Sequence, residues 1–198
     1  MVWAPLRGMV RNINLDRGFS TTVRGYGGDA EALWSYAASL LQPGVRESMA
    51  DTYLSLRVHL VWATKNRRPW LDPEWRSRLF ACVAAVVARR GGELLCAGGT
   101  RDHIHLYLEP PSTLALSDLV ASIKTTTSKW IHETFAHRQD FRWQHGYGAF
   151  SVTPFEDSYI RDYIRNQEIH HREERFANEY TSLLQRHGVT FDPAHVTD

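Results

Sequence analysis

Two segments of the chain alternate with a period of two. From Tyr53 to Thr64, Leu54, Leu56, Val58, Leu60 and Trp62 fall on one parity, and Ser55, Arg57, His59, Val61 and Ala63 on the other. From His103 to Glu109, Ile104, Leu106 and Leu108 alternate with His103, His105, Tyr107 and Glu109. A period of two predicts a strand with one buried face. Between and after them the period changes to that of a helix. Asp72-Pro73 opens the first helix, Trp75, Leu79, Val83, Val86 and Val87 form its stripe, and Gly91-Gly92 ends it. Glu93 to Ala97 reads as a short strand, joined to the histidine strand by a turn that starts at Gly98-Gly99. Pro110-Pro111 stops that strand, and Leu116 to Phe135 has helical spacing through Val120, Ile123, Thr127, Trp130 and Ile131. Phe141 to Val152 reads as a loop and then a last short strand. A third helix follows from Pro154 to about His171, and a fourth from Arg175 to Arg186, closed by Gly188.

The order strand, helix, strand, strand, helix, strand predicts an α+β fold, a ferredoxin-like antiparallel sheet with helices on one face and C-terminal helices after it. The first and third strands are then central neighbours. With their apolar parities under the helices, Arg57, His59, His103 and His105 share the opposite, open face. The domain is expected over 49–189, with 190–198 as a tail. Residues 1–48 carry scattered Gly and Arg and read as a loosely folded extension; Met49, followed at once by the first strand, is a candidate start of the protein.

Composition narrows the function classes. Twenty-three Lys and Arg against 22 Asp and Glu leave a net charge of +1, which argues against a non-specific nucleic-acid coater. Basic residues instead collect locally, from Lys65 through Arg67, Arg68, Arg76 and Arg78 to Arg89 and Arg90, opposed only by Asp72 and Glu74. No apolar run approaches the roughly 20 residues of a membrane span. Cys82 and Cys96 form no CxxC pair, so a reduced, cytoplasmic setting is expected.

The histidine strand carries the first candidate chemistry. Imidazoles two residues apart on a strand point the same way, with Cβ atoms about 6–7 Å apart, close enough to reach one ion. On the third helix Tyr163 and Gln167 are four residues apart and share a face. Each pair alone is commonplace. Together, two imidazoles and an amide oxygen make an acceptable set for Mg²⁺ or Mn²⁺, and a tyrosine beside such an ion can attack a phosphodiester. Tyr159, Tyr147 and Tyr107 are rival nucleophiles, but only Tyr163 has the glutamine four residues on. His59 reads as a solvated strand-face residue, Glu109 as too far along its strand to be a ligand, and His170 and His171 as helix-end residues.

These residues resemble the single-tyrosine HUH transposases of small bacterial insertion sequences, including the REP-associated tyrosine transposases. The resemblance runs from about Met49 to Val189. It rests on Val61 to Pro69, Gly98-Gly99, Asp102, the His103-Ile104-His105 triplet, Lys124 to Trp130, Trp143 to Val152, and Tyr163 to Gln167 followed by His170-His171. It implies metal ligation by His103, His105 and Gln167 and a nucleophilic Tyr163. It also implies homodimers that cut and rejoin single-stranded DNA beside hairpins through a 5′-phosphotyrosine, with the helix bearing Tyr163 able to serve the partner's histidines. Ala149 to Val152 is the candidate interface strand. In that setting Lys65, Arg67, Arg68, Arg57, Lys124 and Lys129 are candidate DNA contacts. The rival expectation is a module that holds a nucleic-acid hairpin without cutting it. A replication initiator or relaxase uses related chemistry, but the short chain has no P-loop or helicase-like segment.

Overall fold

The two alternating segments pair as neighbours. The computed structural model describes residues 53–170 and 176–192. β1 (Val58–Ala63) runs antiparallel to β3 (His103–Glu109), with Val61 opposite His105 and Ala63 opposite His103. β2 (Glu93–Gly99) flanks β3 and β4 (Gly148–Ser151) flanks β1, giving an antiparallel sheet of order β2-β3-β1-β4. The helices are α1 (Pro73–Arg89), α2 (Leu116–Thr134), α3 (Asp157–Arg165), α4 (Gln167–His170) and α5 (Phe176–Arg186). This is the expected α+β, ferredoxin-like arrangement. Expectations for residues 1–48, for His171 and for the end of the tail lie outside the described residues.

The apolar parity behaves as the alternation predicts. Leu60, Trp62, Ile104, Leu106 and Leu108 are fully buried on one face. α2 crosses this face, with Lys124 Nζ 5.2 Å from the Trp62 ring, and α1 packs on α2, Trp75 lying 6.0 Å from Trp130. Asp72 sits at the N-cap of α1 with Pro73 in its first turn, and Gly91 takes a left-handed φ of 85° beyond its end.

The other face is not open. It carries the histidines, but Val61, Ala63, Tyr107 and Phe150 lie between them, and this apolar surface needs a cover. Phe176, Leu183 and Leu184 of α5 pack on Val61, Ala63 and Phe150, while Ile160 and Ile164 of α3 pack on Tyr107. Each such side chain contributes roughly 1.5–3 kcal/mol when fully buried. His59, His103 and His105 are therefore 1%, 1% and 0% exposed, and the solvated reading of His59 is overturned.

Three boundaries differ from the periodic reading. β1 begins at Val58, because Leu54 and Leu56 have no partner strand among the described residues and stay exposed. Gly98 and Gly99 finish β2 rather than form the turn, which passes to residues 100–102. The third helix breaks at Asn166 into α3 and α4; Thr153 and Glu156 make the capping box that opens it.

Candidate metal centre and its tyrosine

β3 projects His103 and His105 from the covered face. The Nδ1–H of His103 donates to Asp102 Oδ1 at 2.7 Å, and Asp102 is held in turn by Arg67 Nε and Nη2 and by Thr100 Oγ1. This fixes the tautomer and leaves Nε2 of His103 with its lone pair toward the helices. Burial would raise the Asp102 pKa, but its interaction with the His103 ring, the bond from Thr100 and the charge of Arg67 outweigh it and hold the carboxyl well below its usual range. His105 is oriented differently, through Nδ1, which lies 2.9 Å from His59 Nε2. Burial, followed by the neighbouring His105, holds His59 well below 6.5, so it is neutral and can accept the His105 Nδ1–H. That again leaves Nε2 facing the helices.

What they face is Glu179 of α5, 3% exposed. Its Oε1 lies 3.5 Å from His105 Nε2 and its Oε2 lies 3.8 Å from His103 Nε2. Candidate ligand atoms of His103, His105 and Glu179 all fall within 4.8 Å of one another. The sequence reading missed Glu179. A signal existed: Glu179 is three residues after Phe176 and four before Leu183, so it stands on the apolar stripe of its helix, where a carboxylate is costly without a partner.

Tyr163 and Gln167 complete the cluster despite the break between them. The Tyr163 hydroxyl donates to Glu179 Oε1, and Gln167 Nε2 donates to the same oxygen at 2.9 Å. The Tyr163 ring lies edge-on to His105, 5.7 Å between centroids, and to His59 at 6.1 Å. So one chain brings its own tyrosine to its own histidines. Burial, then the Glu179 charge and hydrogen bond, push the Tyr163 phenol far above its ordinary value, so it is protonated at neutral pH. Gly98 permits the approach of α3: a Cβ there would stand 2.1 Å from the Ile164 carbonyl oxygen.

The donor set suits a hard divalent cation. Two imidazole nitrogens and a carboxylate converge, and the Gln167 amide adjoins them. The buried Nε2 of His105 and Oε1 of Gln167 make no hydrogen bond among the described residues, a costly state for acceptors that a cation would relieve.

The expected DNA contacts divide. Arg57 is paired with Glu109 and Asp157 at the end of the sheet, and Arg67 supports Asp102. Lys124 donates to the backbone carbonyls of Gln144, His145 and Gly146, and Lys129 pairs with Glu133 on an exposed helix face. Arg76 is buried, bound to Glu168 and to the Gly99 carbonyl. Lys65 and Arg68 form no ion pair among the described residues. Tyr107 is buried and donates to Asp157, and Tyr159 is more than half exposed, stacked 6.2 Å from Tyr163.

Comparison with known proteins places this arrangement in context. A sequence family described as "Transposase IS200 like" matches residues 52–167. The transposases for insertion sequence element IS200 of Salmonella typhimurium and Salmonella typhi are each 28% identical over 129 residues, covering 63% of this chain and 84% of theirs. Among solved structures, a Deinococcus radiodurans protein assigned as a transposase aligns at 25% identity and a TM-score of 0.49, over 59% of this chain and 95% of that one. A REP-associated tyrosine transposase bound to a REP hairpin aligns at 16% identity and a TM-score of 0.47, over 62% and 74%.

Proposed function

The chain belongs to the IS200-like transposase family, and on that premise we propose that it cuts and rejoins single-stranded DNA beside hairpins through a covalent bond to Tyr163. The observation that carries this reading is the meeting of Tyr163, Gln167 and Glu179 with His103 and His105 in one buried cluster. Its setting is the cytoplasm. No helix among the described residues is long and apolar enough to cross a membrane.

In the step proposed, the Tyr163 oxygen attacks phosphorus in line with the 3′ oxygen. The new bond is Tyr163 O–P; the bond that breaks is P–O3′, which leaves a 5′-phosphotyrosine and, after the 3′ oxygen takes a proton from water, a free 3′-hydroxyl. Glu179 Oε1 already accepts the phenolic hydrogen bond, so it is the base that receives that proton. Attack by another 3′-hydroxyl reverses the exchange and reseals the strand. His103, His105 and Glu179, with the Gln167 amide beside them, would hold Mg²⁺ or Mn²⁺. Such an ion, when bound, supplies charge neutralisation at the scissile phosphate. His59 and Asp102 act on the histidines, fixing the ring tautomers that leave Nε2 free to ligate.

The test is a denaturing gel with a labelled hairpin oligonucleotide carrying a single-stranded flank. Wild type should form a covalent protein–DNA adduct with Mg²⁺ or Mn²⁺ and lose it with chelator. Tyr163→Phe should bind the hairpin and form none. An adduct on Tyr163→Phe would move the nucleophile to Tyr159 or Tyr147. Tight hairpin binding without any adduct from wild type would make the protein a binding module.

A further inference from the structure

We propose that a hollow beside the turn at residues 65–68 binds one unpaired nucleotide of the DNA strand, its base on Trp70 and its phosphate on Lys65, Arg68 and Arg142. The proposal rests on the DNA-processing reading above. The hollow is about 220 Å³ and is lined by Lys65, Asn66, Arg68, Trp70, Asp140 and Arg142. A single water needs only roughly 10–15 Å³ on the same measure, so the space suits a larger guest.

The backbone here is unusual. Asn66 and Arg67 are consecutive non-glycine residues with φ of 55° and 51°, in the left-handed region that ordinary side chains avoid. Such conformations persist where the surroundings impose them, and they gather at binding sites. Here Lys65 N–H is tied to the Arg142 carbonyl at 2.8 Å and Thr64 N–H to the Asp102 carbonyl at 2.7 Å. The result is a division of labour along four residues. Arg67 turns inward to Asp102, while Lys65 and Arg68 line the hollow without a carboxylate partner among the described residues.

Chemistry selects the guest. Three cations suit a phosphate. Trp70 offers a stacking surface: its carbonyl accepts from Arg138, the Arg138 and Arg68 guanidinium carbons lie 5.6 and 5.9 Å from its ring centre, and an entering base takes the place of Arg68, which turns to the phosphate. Asp140 distinguishes a nucleotide from a bare anion. Asp140 forms no ion pair among the described residues; its carboxylate repels inorganic phosphate but accepts from an exocyclic amino group of a base, and Asn66 adds an amide for the same edge.

The experiment is binding of the full chain to a fluorescent hairpin with a single-stranded flank, across a salt series. Replacing Lys65, Arg68 and Arg142 together by Gln should weaken binding at least tenfold and reduce the slope of log K on log salt by about 2, at roughly 0.7 per lost single-strand contact. Trp70→Leu should weaken binding about five- to a hundredfold with the slope unchanged, and Trp70→Phe, which keeps a stacking ring, much less. Arg89→Gln, a charge loss away from the hollow, should bind like wild type. If the triple variant matches Arg89→Gln in affinity and slope, or if Trp70→Leu and wild type bind alike, the proposal is overturned while the proposed function stands. Competition by inorganic phosphate beyond its ionic-strength effect would make the hollow an anion site only, and also overturns it. Wild type that binds no single-stranded DNA removes the functional reading itself.

Discussion

At the scale of single residues, the centre is built from groups whose second atoms are already engaged. His103 and His105 face Glu179 through Nε2 because Asp102 and His59 hold their Nδ1 atoms. Asp102→Asn removes the charged acceptor and leaves the His103 ring free to change tautomer. It should weaken Mn²⁺ binding about 10–100-fold by calorimetry, the usual scale for such supports. Unchanged affinity would make Asp102 a turn residue only. Glu179→Gln keeps the size of the side chain and removes its proton affinity. Adduct formation should fall about 10²-fold or more, the contribution typical of a positioned base, and a rate within a few-fold of wild type would exclude that role. The sequence exposed part of this centre and hid part. His103, His105, Tyr163 and Gln167 announce themselves by spacing, two residues on a strand and four on a helix. Glu179 does not, because the histidines it faces are more than 70 positions away on β3 and only the fold brings α5 over them. His59 misleads for a related reason: strand alternation tells which face a residue occupies, not whether something covers that face.

At the scale of elements, alternation and helical stripes located β1, β3, α1 and α2 because each carries one continuous apolar face. They did not locate the Asn166 break, where no proline or glycine marks the interruption. The contact of β2 with α3 was equally invisible, since Gly98 beside Gly99 reads as a turn. In the structure Gly98 is the place where the Ile164 backbone meets the sheet. Gly98→Ala should therefore force α3 outward and carry Tyr163 away from His105. Overpacking of this kind typically costs about 1–3 kcal/mol. The expected result is a lower melting temperature together with slower adduct formation, while Gly146→Ala, where a Cβ meets nothing within 4 Å, should show neither effect. Equal behaviour of the two variants would mean that α3 has room to shift.

At the scale of the whole molecule, burial of the histidine face makes stability a function of pH. His59 has a folded pKa well below the unfolded 6.5, so the unfolded chain binds more protons as pH falls. Stability should decline as pH drops below about 6.5, and a further loss should set in below about 3.8, where the depressed Asp102 carboxyl begins to favour the unfolded state. His59→Gln should flatten the upper part of this profile in thermal melts between pH 8 and 5. Assembly can be tested on the same scale. If each chain completes its own centre, mixing Tyr163→Phe with His103→Ala subunits, after verified exchange, yields no adduct. Restored activity would show that the tyrosine helix crosses to a partner, with the β4 edge at Ala149 to Val152 as the candidate seam. A chain begun at Met49 should fold and cleave normally if residues 1–48 are an extension.

The location of Glu179 also gives the centre a mechanical role. His103 and Glu179 are separated by more than 70 residues of chain, and between them lie α2, β4, α3 and α4. A cation shared by both would therefore act as a clasp, shutting a long loop and fastening the C-terminal helix to the middle of the sheet. Occupancy then becomes a form of cohesion: at an ion concentration a hundred times its dissociation constant the folded chain gains about 2.7 kcal/mol. Mn²⁺ titration should raise the melting temperature and slow amide exchange in α5 together, and Glu179→Ala should uncouple the helix from the ion.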